Sequence, residues 1–147
     1  GQTDTALHHL RAELMLGSHG RADLMQIGHL LLDIHAFDAA SACYRRIVDI
    51  DPTDAAAWQN LGVALARECE SAAAPLWPAA IEAFEQVTRL RPLDATGWYN
   101  LALAHADHGN WPAAQTTLRH GLALLPAHRQ LTTLAKRFKL RRLRQWL

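Results

Sequence analysis

The side chains that could carry chemistry begin with nine histidines in a chain of 147 residues. His105 and His108 stand three positions apart on a predicted helix, so together with Asp107 or His120 they could bind a metal ion. The sequence contains no closely spaced set with enough ligands to complete the coordination of a metal ion. The sequence also lacks a glycine-rich phosphate loop and a Ser/His/Asp arrangement in a strand-turn setting. We therefore predict a non-enzyme with no metal, no cofactor and no small-molecule substrate.

Two cysteines, Cys43 and Cys69, are the remaining reactive groups. Neither belongs to a Cys-x-x-Cys motif or to a spaced Cys/His array of the kind that binds zinc. A bridge between them would require their two helices to pack side by side. We expect both to be free thiols on helices.

Charge is distributed unevenly along the chain, although the formal net charge is only +1. Residues 1–107 contain all 14 acidic residues and 7 of the 15 lysines and arginines. Residues 108–147 contain the other 8 basic residues and no acidic one. The two ends of the chain are therefore expected to prefer different partners.

The length fits one domain that can bury a core without disulfides or metals. Charges interrupt the apolar residues every few positions, so no segment reaches the roughly 20 apolar residues of a membrane span. Localisation stays open between the cytoplasm, which is slightly favoured, and export as a mature chain whose leader is absent.

A repeat organises the helices of this chain. Trp58 and Asn60 are restated 40 positions later by Trp98 and Asn100, and the segment WPAAIEAF at 77–84 is restated as WPAAQTTL at 111–118. Each presumed helix pair ends at a proline, at positions 52, 92 and 126, because proline cannot continue a helix. At the first of these turns, Thr53 or Asp54 can cap the next helix.

These residues resemble the tetratricopeptide repeat family, whose 34-residue unit has the pattern W-x2-L-G-x2-Y, then A-x3-F-x2-A, then P. The resemblance covers about residues 21–128. The matching positions are, unit by unit, Leu24, Ile27, Gly28, Leu31, Ala40, Tyr44, Ile47 and Pro52, then Trp58, Leu61, Gly62, Leu65, Ala80, Phe84, Val87 and Pro92, then Trp98, Leu101, Ala102, His105, Ala114, Leu118, Gly121 and Pro126.

The resemblance implies an all-α, right-handed α-solenoid of three helix pairs. We expect a single domain over 1–147, with a leading helix at 4–17, repeat 1 at 21–54, repeat 2 at 55–94, repeat 3 at 95–128 and a basic capping helix at 129–147. Small residues such as Gly28 should let paired helices approach, and large ones such as Tyr44 should fill the space between pairs. In the first helix of repeat 1, the residues expected on the inner side are Leu24, Ile27, Leu30, Leu31 and Ile34.

Repeat 2 is six residues longer than its neighbours, and the excess falls at 69–75. The string CESAAA favours helix, so the first helix of this repeat should lengthen by about 9 Å, at 1.5 Å per residue, until Pro75 stops it. A neutral surface insertion and a docking role remain open as explanations.

The last segment fits no fourth unit, and Leu131, Leu134 and Phe138 should cover the open end of repeat 3. Its outer side is basic through Arg129, Lys136, Arg137, Lys139, Arg141, Arg142 and Arg144. A solvated capping helix accounts for this composition, and docking to an acidic protein surface, an anionic membrane or nucleic acid are the alternatives.

By the same resemblance, the first helix of each pair lines a concave groove that binds an extended peptide or a partner segment. The groove residues would be Met25, Gln26, His29, Asp33, Gln59, Asn60, Val63, Arg67, Tyr99, Asn100, Leu103 and Asp107, with Arg137 at the far end. Gln26, Asn60 and Asn100 occupy equivalent positions, and their carboxamides suit the alternating donors and acceptors of a peptide backbone.

Family members that hold the carboxylate of a chaperone tail use lysines and asparagine in the first helices, whereas in repeat 1 Met25 stands at the lysine position and His29 at the asparagine position that follows. The function favoured is a non-catalytic scaffold for protein or peptide partners. Alternatives are an anchor to nucleic acid or anionic membrane through the basic helix, and a secretion or assembly chaperone. Self-association through the end of the chain around Trp146 is a further alternative.

Overall fold

The structure is a computed structural model that describes residues 5, 9, 20–72 and 76–144. Within these residues it contains seven α-helices and no strands. The helices are α1 (Arg21–Asp33), α2 (Phe37–Ile50), α3 (Ala55–Ala72), α4 (Trp77–Leu90), α5 (Ala95–Asp107), α6 (Trp111–Leu124) and α7 (Arg129–Arg144). The expected all-α helical repeat is confirmed, whereas the leading helix predicted at 4–17 lies outside the described residues apart from positions 5 and 9.

The chain divides into two compact units, Gly1–Leu76 and Trp77–Leu147. In the first unit α2 packs against both α1 and α3. In the second unit α5 packs against α4, α6 and α7, and α6 also packs against α7. The boundary between the units falls between the two helices predicted for repeat 2, directly after the insertion. The assignment of 1–147 to a single domain stays a prediction.

The core of the first unit forms around α2, whose Ala40, Tyr44, Ile47 and Val48 are all buried. In α1 the buried stripe consists of Leu24, Gly28 and Leu31, which are spaced by four and three residues. The expectation that Leu30 and Ile34 would also point inward is wrong, because they are 52% and 50% exposed. Both lie off the stripe that faces α2, and apolar residues remain common on protein surfaces.

Gly28 permits the close approach of α1 and α2. A Cβ atom at this position would lie 2.7 Å from the Cε1 and Cζ atoms of Tyr44, which is completely buried. No side chain larger than hydrogen fits without moving the tyrosine ring. The small residue at this position of the repeat therefore has a direct steric reason.

The turn between α2 and α3 is held by its own side chains. Asp51 Oδ1 accepts hydrogen bonds from the backbone N–H and the hydroxyl of Thr53. Asp54, and not Thr53, is the residue that caps α3, since its Oδ1 accepts from the backbone N–H groups of Ala56 and Ala57, both at 3.0 Å. A capping carboxylate satisfies N–H groups that have no partner within the helix.

The turns at Pro52 and Pro92 are each also held by the tryptophan that follows them. The Trp58 indole N–H donates to the Pro52 carbonyl at 2.8 Å, and the Trp98 indole N–H donates to the Pro92 carbonyl at the same distance. The sequence predicted both rings as packing residues but not as hydrogen-bond donors. Each tryptophan thus ties the start of a first helix to the turn that precedes it.

The core of the second unit is closed by α7. Leu131, Leu134 and Phe138 are buried and belong to one cluster with Ala102, Ala114 and Leu118. The Phe138 ring meets the Trp111 ring edge to face, with their centroids 5.2 Å apart. The prediction that these three residues of α7 cover the end of repeat 3 is confirmed.

The insertion lengthens α3 as the sequence predicts. This helix has 18 residues, compared with 13 in each of the equivalent helices α1 and α5. The additional residues continue the helix to Ala72. Pro75, which was expected to end it, lies outside the described residues.

Candidate functional site

The first helices α1, α3 and α5 each carry buried residues on one side and accessible residues on another. Positions required by the repeat, such as Gly28, Leu61 and Leu101, are buried. The residues predicted for the groove are all accessible to some degree: Gln59, Asn60, Val63, Tyr99, Asn100 and Leu103 are half-buried, and Gln26, His29, Asp33, Arg67 and Asp107 are exposed. Each unit therefore presents a face of these helices that its core does not use.

In the first unit this face joins α1 to α3 through Asn60. The side-chain Nδ2 of Asn60 lies 3.2 Å from Met25 Sδ and 3.1 Å from His29 Nε2. Met25 and His29 are four residues apart on α1, so both side chains project from the same side of that helix. The structure thus brings together three residues predicted for the groove.

These contacts change what Asn60 can offer to a ligand. A primary amide has two N–H donors and one carbonyl acceptor. Because both contacts of Asn60 are made by Nδ2, its donors are directed at α1 and its Oδ1 remains the group available to a partner. The expected row of amides that both donate and accept is therefore altered at this position.

Gln59 is the neighbouring residue on α3, and its Oε1 atom is covered. This oxygen has no hydrogen-bond partner among the described residues. A buried acceptor without a donor costs about 1–3 kcal/mol. A side chain left in this state gains from any rearrangement that supplies an N–H group.

At one end of the same unit, Arg21 and Asp54 link the start of α1 to the start of α3. Arg21 Nε donates to Asp54 Oδ2 at 2.5 Å, and the Asp54 side chain is almost fully buried. Burial raises the pKa of Asp54, but the hydrogen bonds from Arg21, Ala57 and Ala56 and the charge of Arg21 outweigh it, so the pKa is lower than usual. The hydrogen bond to Asp54 and its charge raise the pKa of Arg21.

In the second unit the predicted face opens into a cleft of about 420 Å³ between α5 and α7. Tyr99 of α5 lines it, together with Arg129, Gln130, Thr133, Leu134 and Arg137 of α7. Arg137 therefore does lie near the predicted groove residue Tyr99. Sequence reasoning missed the contribution of Arg129, Gln130 and Thr133, although the spacing of 129, 133 and 137 places them along one side of a helix.

Leu103 and His105 show where the core limits this face. Leu103 is half-buried because it packs against the core cluster of the second unit. The pKa of His105 is lowered, first by burial and then by nearby His108, while Glu85 acts in the opposite direction. Its Nδ1 is buried and has no hydrogen-bond partner in the part of the chain that the structure describes. Leu103 is thus held by the core of the second unit.

The groups first considered for chemistry were a histidine-based metal site and the two cysteines. Across residues 20–72 and 76–144, no group of three or more His, Cys, Asp or Glu side chains is placed to hold a metal ion. Cys43 and Cys69 are free and buried, so the expectation of free thiols is confirmed. Burial raises the pKa of Cys43 to about 11 and also raises that of Cys69.

The basic residues of α7 are displayed to solvent where they are described. Lys136, Arg137 and Lys139 are exposed. The side chains of Arg141, Arg142 and Arg144, also predicted for this basic surface, lie outside the described part. None of the described helices combines the length and the apolar character that crossing a membrane requires.

The fold defines the class of this protein as an all-α helical-repeat protein. The sequence model of the tetratricopeptide repeat matches residues 25–77 and 72–123, which is more than half of the chain. The chain belongs to the tetratricopeptide repeat family. None of the curated proteins matches it significantly.

Several solved structures share the fold at low sequence identity. YrrB, a TPR protein with an unusual peptide-binding site, is 22% identical with a TM-score of 0.71, and the match covers 86% of this chain and 62% of YrrB. MamA from Desulfovibrio magneticus RS-1 is 18% identical with a TM-score of 0.71, covering 97% of this chain and 77% of MamA. The first TPR of Spaghetti (RPAP3), bound to the HSP90 peptide SRMEEVD, is 17% identical with a TM-score of 0.68, covering 84% and 94%. This chain spans less than two thirds of YrrB.

Proposed function

We propose that this protein is a non-catalytic interaction module that binds extended peptide segments on the accessible faces of its first helices. The observation that carries the proposal is the cleft beside Tyr99. An aromatic side chain of α5 lies there among a threonine, a glutamine and two arginines of α7. Apolar surface with a few converging polar groups is the usual composition of a binding site.

The face of the first unit supports the same function. Half-buried Gln59 and Asn60 follow one another on α3, and both contacts of Asn60 are made by its Nδ2, which leaves its Oδ1 open to a donor. An extended peptide has N–H groups in alternation along its backbone and can supply such donors. YrrB and RPAP3 provide a precedent, since the structures of both concern peptide binding.

A display library of random linear peptides tests the proposal directly. We expect selected peptides to bind the wild-type chain and to lose affinity by roughly thirtyfold when Asn60 and Asn100 are both replaced by Ala, because hydrogen bonds to a bound backbone contribute about 1 kcal/mol each. Tyr99→Ala should weaken those peptides that use the cleft. Affinities can be measured by fluorescence anisotropy.

Gln86→Ala provides the matched control, because it also removes a half-buried carboxamide but from α4, a second helix of a pair. Circular dichroism melts should show that all variants retain their helical content. If the double Asn variant binds the selected peptides as tightly as the wild type does, the proposal is wrong.

Salt separates this function from the alternative in which basic α7 anchors the chain to phosphate-bearing nucleic acid or membranes. Binding through phosphate charges falls steeply as salt rises. Peptide binding on the first-helix faces should survive both high salt and deletion of residues 139–147, whereas anchoring should be lost under either condition.

A further inference from the structure

A second open groove lies on the side of the second unit where α6 and α7 meet. Its volume is about 650 Å³. Leu118 and Leu122 of α6 and Ala135 and Phe138 of α7 form its apolar floor. None of these residues belongs to the first-helix faces. We call this surface the α6–α7 groove.

The spacing of the lining residues indicates the shape of ligand that fits. On α6 they occur at positions 115, 118, 119, 122 and 123, and on α7 at 135, 138 and 139, so each helix contributes one continuous side. A furrow between two adjacent helices is the surface on which a third helix packs. The small side chains of Ala123 and Ala135 would let its backbone approach closely.

The apolar floor favours a helix over an extended chain as the occupant. A helix satisfies its backbone N–H and C=O groups internally and can bury an apolar stripe against such a floor. An extended chain would bring unpaired backbone polar groups onto Leu122 and Phe138. An unpaired buried backbone group costs about as much as a lost hydrogen bond.

The charges on the rim define the chemistry of the helix. Arg119 borders the groove from α6 and Lys139 borders it from α7, and both are exposed. Neither forms an ion pair within residues 20–72 and 76–144. Since residues 108–147 contain no acidic residue, their local sequence offers them no partner. A ligand with acidic residues beside its apolar stripe would complement both walls.

We propose that the α6–α7 groove docks an amphipathic helix of another protein, with a stripe of apolar side chains and Asp or Glu on both flanks of that stripe. This surface is separate from the one that carries the proposed peptide binding. Either activity can therefore fail without the other.

The test uses the full chain and a synthetic helical peptide with leucines at positions i, i+3, i+4 and i+7 and glutamates on both sides of that stripe. A second peptide with lysine in place of every glutamate serves as the probe of charge. In fluorescence anisotropy the glutamate peptide should bind and the lysine peptide should not. Arg119→Glu and Lys139→Glu should each weaken binding by roughly three- to tenfold, as expected when an attractive charge pair becomes repulsive.

Lys136→Glu is the matched control, because it makes the same charge change on an exposed residue of α7 that does not line the groove. It should weaken binding less than twofold. Exposed positions tolerate such changes, and circular dichroism will confirm that the variants fold. NMR signals from the backbone amides of Leu122, Ala123 and Ala135 should shift when the glutamate peptide is added.

Three results would overturn the proposal. The first is equal binding of the lysine and glutamate peptides. The second is an equal loss for Lys136→Glu and Lys139→Glu, which would indicate general attraction to a basic surface. The third is concentration-dependent dimerisation that blocks the peptide and is abolished by Lys139→Glu, which would identify the occupant as a second copy of this chain.

Discussion

Asp54 is the residue on which several interactions of the first unit converge. One oxygen caps α3 through two backbone N–H groups, and the other accepts from Arg21 at the start of α1. Both oxygens of the Asp54 carboxylate therefore accept hydrogen bonds. The bonds from the backbone N–H groups cap α3, and the bond from Arg21 is additional to that capping role. Its charge stabilises two helices at once.

We expect Asp54 to make the stability of this protein sensitive to acid. A carboxyl group whose pKa is lower in the folded chain contributes stability that is present above its unfolded pKa and is lost as pH falls through the folded value. The free energy of unfolding should therefore fall below about pH 4, the ordinary pKa of an aspartate. Asp54→Asn keeps a capping oxygen but removes the charge, so this part of the acid dependence should disappear.

Urea denaturation between neutral pH and pH 3 measures this effect. At neutral pH the Asp54→Asn variant should be only slightly less stable than the wild type, because Arg21 is largely exposed and solvent screens its charge. Asp94→Asn is the control, since Asp94 caps α5 through the Thr96 N–H at the equivalent turn. An identical acid dependence in the wild type and in Asp54→Asn would contradict the role assigned to Asp54.

At the scale of residues, the sequence predicted positions better than contacts. It placed Asn60 and His29 on accessible faces, and both are accessible. It could not show that Asn60 Nδ2 reaches Met25 and His29, because these residues are more than 30 positions away and their rotamers depend on how α1 and α3 pack. Periodicity determines the side of a helix on which a residue lies, not the atom it meets across an interface.

The close packing of α1 against α2 leaves no room for a Cβ atom at Gly28. We expect Gly28→Ala to destabilise the protein by up to about 2 kcal/mol. Alanine gains about 1 kcal/mol in helix propensity, but a methyl group forced against the buried Tyr44 ring costs about 1–3 kcal/mol. Chemical denaturation followed by circular dichroism measures the balance.

Tyr44→Leu gives the matched background for this experiment, because it removes the two ring atoms that the added methyl group would meet. In that background Gly28→Ala should be neutral or stabilising, since only the gain in propensity remains. If Gly28→Ala raises the stability of the protein that retains Tyr44, α1 and α2 can move apart at little cost, and the tight packing inferred at this position is wrong.

Helices and turns were the features that the sequence specified most fully. The prolines, the capping residues and the repeat spacing act over a few residues, so the turns and the longer α3 could be predicted from local chemistry. The exposure of Leu30 and Ile34 could not, since apolar residues on both sides of α1 give no indication of which side α2 covers. The clefts beside α7 depend on tertiary packing for the same reason.

For the molecule as a whole, charge is divided between the two compact units. The unit at Gly1–Leu76 contains 10 acidic and 5 basic residues, and the unit at Trp77–Leu147 contains 4 acidic and 10 basic residues. Their formal charges are thus −5 and +6. A net charge of +1 describes neither surface that a partner would meet.

We therefore expect the protein to bind both cation and anion exchangers at pH 7. A protein with the same small net charge spread evenly over its surface would bind neither resin firmly. Retention should be measured as the salt concentration that elutes the chain from each resin. Replacing Lys136 and Lys139 by Gln should cause earlier elution from the cation exchanger, because both side chains are exposed on the basic unit. Retention on the anion exchanger should not decrease, since the acidic unit is unchanged.

Weak binding to both resins would mean that the opposite charges neutralise each other locally, and the acidic partner inferred for α7 would then lose its electrostatic basis.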